Sequence, residues 1–113
     1  MRALRWAIIT FAAILITGCA TVDITKTAKG YYEPTDPDFV EILHTKPERS
    51  FLELGSMSTT GWETRDTAKM HNALRAKAAP LGADAVIILN SGITPGGYGS
   101  RTMWSTGIAI KYQ

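Results

Sequence analysis

Residues 64–90, TRDTAKMHNALRAKAAPLGADAVIILN, run an amphipathic helix into an apolar strand with no loop of any length between them. At 100° per residue, Thr67, Met70, His71, Leu74, Ala78 and Leu81 fall within a stripe about 100° wide, so the segment lays one face on a core. Thr64 is a candidate N-cap with Asp66 in the first turn. Thr60-Gly-Trp-Glu63 also fits a capping box, which would start the helix a turn earlier. Pro80 cannot donate to Ala76 and crowds its carbonyl, so the last turn is expected to distort and Gly82 to close it. The run ADAVIILN (83–90) is then a nearly continuous apolar strand, as found in a sheet covered by other layers.

The remaining strands are shorter signals. FVEILHT (39–45) and FLELGSMS (51–58) flank a turn-like KPER at Pro47, which predicts an antiparallel hairpin. In the second run Leu52 and Leu54 share one face, with Phe51, Glu53 and Met57 on the other. TPGGYGS (94–100) is a loop by composition. In TMWSTGIAIKYQ (102–113), Trp104, Thr106, Ile108, Ile110 and Tyr112 alternate with Ser105, Gly107 and Lys111. The expected order is ββαββ, an α+β domain over residues 39–113 with one helix on a mostly antiparallel sheet. Residues 19–38, with Gly30, Pro34 and Pro37, are expected to be a tether, although Val22 and Ile24 alternate with polar residues and could add an edge strand.

The N-terminus supplies an address. Arg2 and Arg5 precede an uncharged run from Trp6 to Val22, short for a bilayer-spanning helix of about 20 residues but suited to a secretory signal. Ile16-Thr17-Gly18-Cys19 ends it and resembles the bacterial lipobox. That resemblance implies cleavage between Gly18 and Cys19, loss of residues 1–18 as a signal peptide, and lipidation of Cys19. Ala20 after the cysteine implies an outer-membrane lipoprotein of the cell envelope facing the periplasm. Two or more acyl chains give durable attachment, at about 0.8 kcal/mol per buried methylene.

Cys19 is the sole cysteine, so the chain has no intramolecular disulfide. The net charge of +2 comes from 12 basic and 10 acidic residues. Discarding Arg2 and Arg5 leaves a near-neutral protein with no basic stripe for nucleic acid. A domain this small without a disulfide or metal signature leans toward association, with a protein partner or a second copy.

The run LRAKAAPLGADAVII (74–88) resembles one in the YbjQ-like domains and in the stress-sensing outer-membrane lipoprotein of the Rcs system. In both, a helix ending A-x-x-L-G-A-[DN]-A-V feeds a central strand. The resemblance spans about residues 39–112 and implies the same small α+β fold. It also brings in ring-forming oligomers, metal binding and envelope stress sensing as properties described for such domains. The Rcs sensor relies on disulfides, which this chain cannot form.

No motif points to chemistry. His44 and His71 stand alone, without H-x-x-x-H or C-x-x-C, so neither a metal site nor a cofactor is expected. Gly96-Gly97-Tyr98-Gly99 lacks the Gly-Lys-Ser/Thr and following helix of a phosphate loop. The serines lack a G-x-S-x-G elbow, and Asp84 suits the helix-to-strand turn better than catalysis. Trp104 is assigned to the core, while Trp62 and Tyr98 are the candidate partner-binding aromatics. The function expected is a non-enzymatic, lipid-anchored protein-binding or assembly module. The alternatives are an envelope stress sensor of the Rcs-lipoprotein type and a domain binding a metal or small ligand at its loop ends.

Overall fold

The computed structural model describes residues 20–95 and 101–113. Five strands, β1 (Thr21–Lys26), β2 (Glu41–Leu43), β3 (Phe51–Glu63), β4 (Ala85–Pro95) and β5 (Arg101–Tyr112), form one sheet in the order β1-β3-β5-β4-β2. Helix α1 (Thr67–Ala78) packs on one face and continues into a 3-10 turn, Ala79–Leu81. Three pairings are antiparallel and β2–β4 is parallel. The α+β class holds, with one strand more than expected: the order is βββαββ.

The extra strand is β1. It lies within the stretch expected to be a tether, and pairs with β3 from Thr21↔Thr60 to Lys26↔Gly55. Val22 and Ile24 face the helix-side core, joined by Ala28 and Tyr32. The Leu54 carbonyl accepts the Thr27 and Ala28 N–H groups, which turns the chain back over the domain. Thr35 then fixes the return: its N–H donates to the Ala79 carbonyl at 2.9 Å and its hydroxyl to the Ala83 carbonyl at 2.6 Å.

The expected hairpin of 39–45 with 51–58 does not form. β2 pairs with β4 (Glu41↔Ala85 to Leu43↔Ile87), at the opposite edge from β1. Residues 44–50 are too long and too irregular for a two-residue hairpin turn, and they carry the chain to the other side of β4 and β5. β2 gains cover on both faces: Ile42 joins the helix-side cluster, and Leu43 packs with Ala85, Ile87 and Ile110 on the other face.

Two bulges in β3, between Glu53 and Gly55 and between Thr59 and Trp62, reset its alternation. The first puts Leu54 and Met57 on the same helix-side core, contrary to the simple period of two. On β5 the alternation is as expected. Ala109 lies in the helix-side cluster, while Ile108, Ile110 and Tyr112 build the second cluster with Phe51. Leu54, Leu74, Val86 and Ile110 are essentially fully buried, and each such side chain contributes roughly 1.5–3 kcal/mol of transfer free energy.

α1 begins later than either candidate cap implies. β3 runs through Glu63 and absorbs Thr60–Glu63, so the N-cap position falls to Asp66, whose side chain makes no capping bond. At the other end the expectation holds. Pro80 falls in the 3-10 turn, and Gly82 exits at φ +89° with its N–H on the Ala79 carbonyl.

Asp84 closes the helix-to-strand junction. Its N–H donates to the Ile110 carbonyl at 2.8 Å, its carbonyl accepts the Glu41 N–H, and its carboxylate accepts the Tyr112 N–H at 2.9 Å. Three segments are thereby tied at one residue. Asp84→Ala is expected to destabilise the fold by about 1–2 kcal/mol, read as a lower urea midpoint at unchanged slope.

Candidate functional site

β4 and β5 are long strands, and their far halves extend past the point where β2 stops. Between Ile88 and Asn90 a third bulge leaves Leu89 without a partner on β5 and turns it to solvent, 59% exposed. β2 covers the outer side of β4 only as far as Ile87. Among the described residues no strand pairs with Ile88–Pro95 on that side, and Ile93 there is 55% exposed. The ladder groups of an unpaired edge are free to join another strand.

Above this edge, α1 and the far ends of β4 and β5 enclose an open groove of about 400 Å³. α1 contributes Thr67, Met70 and His71, three and four residues apart on one helix face. β5 contributes Met103, Trp104 and Ser105, and His44 enters from the residue after β2. Trp104 is half-buried, its indole against Gly92 at the groove, and does not join either core cluster. That corrects its assignment to the core: Trp104 is paired with Gly92, beyond both core clusters, and its ring lies over the bare glycine and lines the groove instead.

The two histidines, 27 positions apart in sequence, meet with ring centroids 5.9 Å apart and planes tilted by 56°. Burial, then the neighbouring His44, then the Arg75 guanidinium hold the His71 imidazole below its ordinary value, so it is neutral at pH 7. Arg75 itself is held in place by donating to the Val40 carbonyl and to Asn72. The Ser105 hydroxyl faces the Met70 sulfur at 3.7 Å, and the Thr67 hydroxyl faces the Met103 sulfur at 3.8 Å. Among the described residues, no three His, Cys, Asp or Glu side chains cluster as metal ligands.

Trp62 lies away from this groove, at the β1 side of the sheet. It is half-buried, and its indole N–H donates to the Thr59 hydroxyl at 2.6 Å, which in turn donates to the Thr21 carbonyl. Its polar atom is thus used inside the fold. Cys19, Gly18 and Tyr98 lie outside the described residues. Sequence spacing offers no signal linking position 44 to 71 or 103, because β2's partner is not legible locally. The i, i+1 placement of Met70 and His71 on the stripe was the one local hint.

No protein-family model matches the chain, and comparison with curated proteins likewise finds no match. Among solved structures the fold is similar to the crystal structure of a Francisella virulence factor, FvfA, with a TM-score of 0.58 at 15% identity, covering 80% of this chain and 97% of that one.

Proposed function

We propose that this is a lipid-anchored cell-envelope protein whose domain binds other proteins, or a second copy of itself, without catalysis, by strand addition along β4. The observation that carries the reading is the unpaired edge from Ile88 to Pro95. It is supported by the exposed Leu89 and Ile93, which offer apolar area to an added strand, while main-chain hydrogen bonds supply the affinity. The stretch ILNSGITP contains no charge, so two copies could pair there without like-charge repulsion. The lipid anchor at Cys19 and a place at the outer membrane rest on the lipobox resemblance. Kinship with the YbjQ-like and Rcs-lipoprotein domains rests on the run 74–88.

Cross-linking in intact cells followed by mass spectrometry is expected to capture a partner or a homo-oligomer through residues 88–95. Leu89→Lys with Ile93→Lys is expected to abolish those cross-links while leaving the melting temperature nearly unchanged, since both side chains point to solvent. Capture of monomer alone, under conditions that cross-link other lipoproteins, would refute the reading. Mass analysis of the mature protein checks the anchor separately: an N-terminal acylated Cys19 is expected.

A further inference from the structure

The groove beside the β4 edge has a direction. Helix α1 runs antiparallel to β4 along it. At one end the Thr67 hydroxyl meets the sulfur of Met103, which pairs with Ile93; a turn further along α1, His71 stands beside His44. His44 follows the Leu43↔Ile87 pair and so falls beside Ile88. From Ile88 to Ile93 the groove therefore follows β4 for about 16 Å, at the rise of an extended chain. A helix walls one side of it and an unpaired strand edge the other. This is a slot for one extended segment, whose main chain pairs with β4 while every second side chain turns in toward Met70 and Met103.

The two ends of the slot differ. At the Ile88 end β2 already occupies the edge, so an added strand must stop there or leave the sheet. That end also holds the polar groups: His44 and His71, with the Arg75 guanidinium near enough to act on His71 and the exposed Lys46 two positions beyond His44. An imidazole donates an N–H in either protonation state. None of the described residues lining the slot is a carboxylate. The Ile93 end is walled by Ile93 itself and Met103. A strand antiparallel to β4 reaches Ile88 with its C-terminus leading, whereas a parallel one would begin there with its ammonium. Among imidazole N–H groups and a guanidinium, a carboxylate is stabilised and an ammonium repelled. Resting on the strand-addition reading, we infer that the slot receives the C-terminal strand of a partner protein, antiparallel to β4, with apolar side chains on Met70 and Met103 and its terminal carboxylate at His44 and His71.

The test presents random heptapeptides to the full chain in detergent, once with free C-termini and once followed by a polar tail. Enrichment of apolar sequences is expected from the free-ended library alone. Converting the carboxylate of a selected peptide to the amide is expected to weaken binding by about tenfold or more. His44 is exposed, so His44→Ala leaves the fold intact; it is expected to weaken the acid form and to leave the amide form unchanged, which isolates the contact as a double-mutant cycle. A photoreactive group at the peptide's N-terminal end is expected to attach near Ile93 and not near Ile88. Equal binding of acid and amide, equal loss of both forms in His44→Ala, no enrichment of free-ended peptides, or attachment at Ile88 would overturn the inference. If tailed peptides bind residues 88–95 as well as free-ended ones, strand addition stands and the C-terminal slot falls. Peptide binding that survives Leu89→Lys with Ile93→Lys would refute both.

Discussion

Gly107→Ala is expected to lower stability by roughly 3–4 kcal/mol, and Gly107→Val to prevent folding at 37 °C. Gly107 sits in the middle of β5, paired with Ile88 of β4. A Cβ added there would lie 2.4 Å from the Ile87 carbonyl oxygen. That obstacle is backbone, so no rotamer change relieves it. The two central strands would have to part, and the bulge at Leu89 would lose the close approach that permits it. The fully buried neighbours Ala109 and Ile110 would be disturbed with them. Denaturant melts of the variant and of Ser58→Ala, an exposed position on β3 expected to change stability by less than about 0.5 kcal/mol, make the comparison. A Gly107→Ala midpoint equal to that of Ser58→Ala would show that the strands accommodate the methyl group.

Gly82→Ala is expected to cost about 2–4 kcal/mol, from two independent sources. At φ +89° an L-residue is strained whatever space surrounds it. The added Cβ would also fall 2.7 Å from the Tyr32 Cβ and 2.9 Å from the Glu33 carbonyl oxygen. The segment returning from β1 therefore crosses directly over the helix exit, and the methyl group would push it off. The Thr35 bonds to Ala79 and Ala83 would be strained or lost at the same time. Besides the drop in stability, limited proteolysis is expected to cut faster between Lys26 and Glu33 than in the parent protein. Cleavage at the parent rate, with stability lowered, would mean that the backbone strain acts alone.

The parts of this fold legible in the chain are those in which neighbours in sequence are also neighbours in energy. Met70, Leu74 and Ala78 mark the buried side of α1 through their spacing, and Pro80 with Gly82 announces how the helix ends. The alternation along β5 is equally local. The partner of β2 was not legible, because Ile42 and Leu43 suit any sheet edge and the choice of β4 is made by cover on both faces. Bulges were hidden for a related reason: one inserted residue at Leu54 inverts a pattern that a strict period of two reads confidently and wrongly. The groove inherits both difficulties. His44 reaches His71 only because β2 ends beside β4, and Trp104 lines the opening because its cross-strand partner is Gly92, which has no side chain to cover the ring.

The start of β1 fixes how such a molecule would stand on a bilayer. Only Ala20 separates Cys19 from Thr21, the first residue of the sheet, and at roughly 3.3–3.6 Å per residue an acylated Cys19 allows a stand-off of less than 10 Å. Thr21 lies opposite Thr60, at the end of the sheet where β3 runs on to Glu63 and where β4 and β5 reach Pro95 and Arg101. With that cysteine acylated, these strand ends would rest against the lipid headgroups. The opposite end, with Asp84 and the helix exit, would be lifted toward the aqueous compartment, and the β4 edge would stand upright between the two, open to whatever approaches sideways along the membrane.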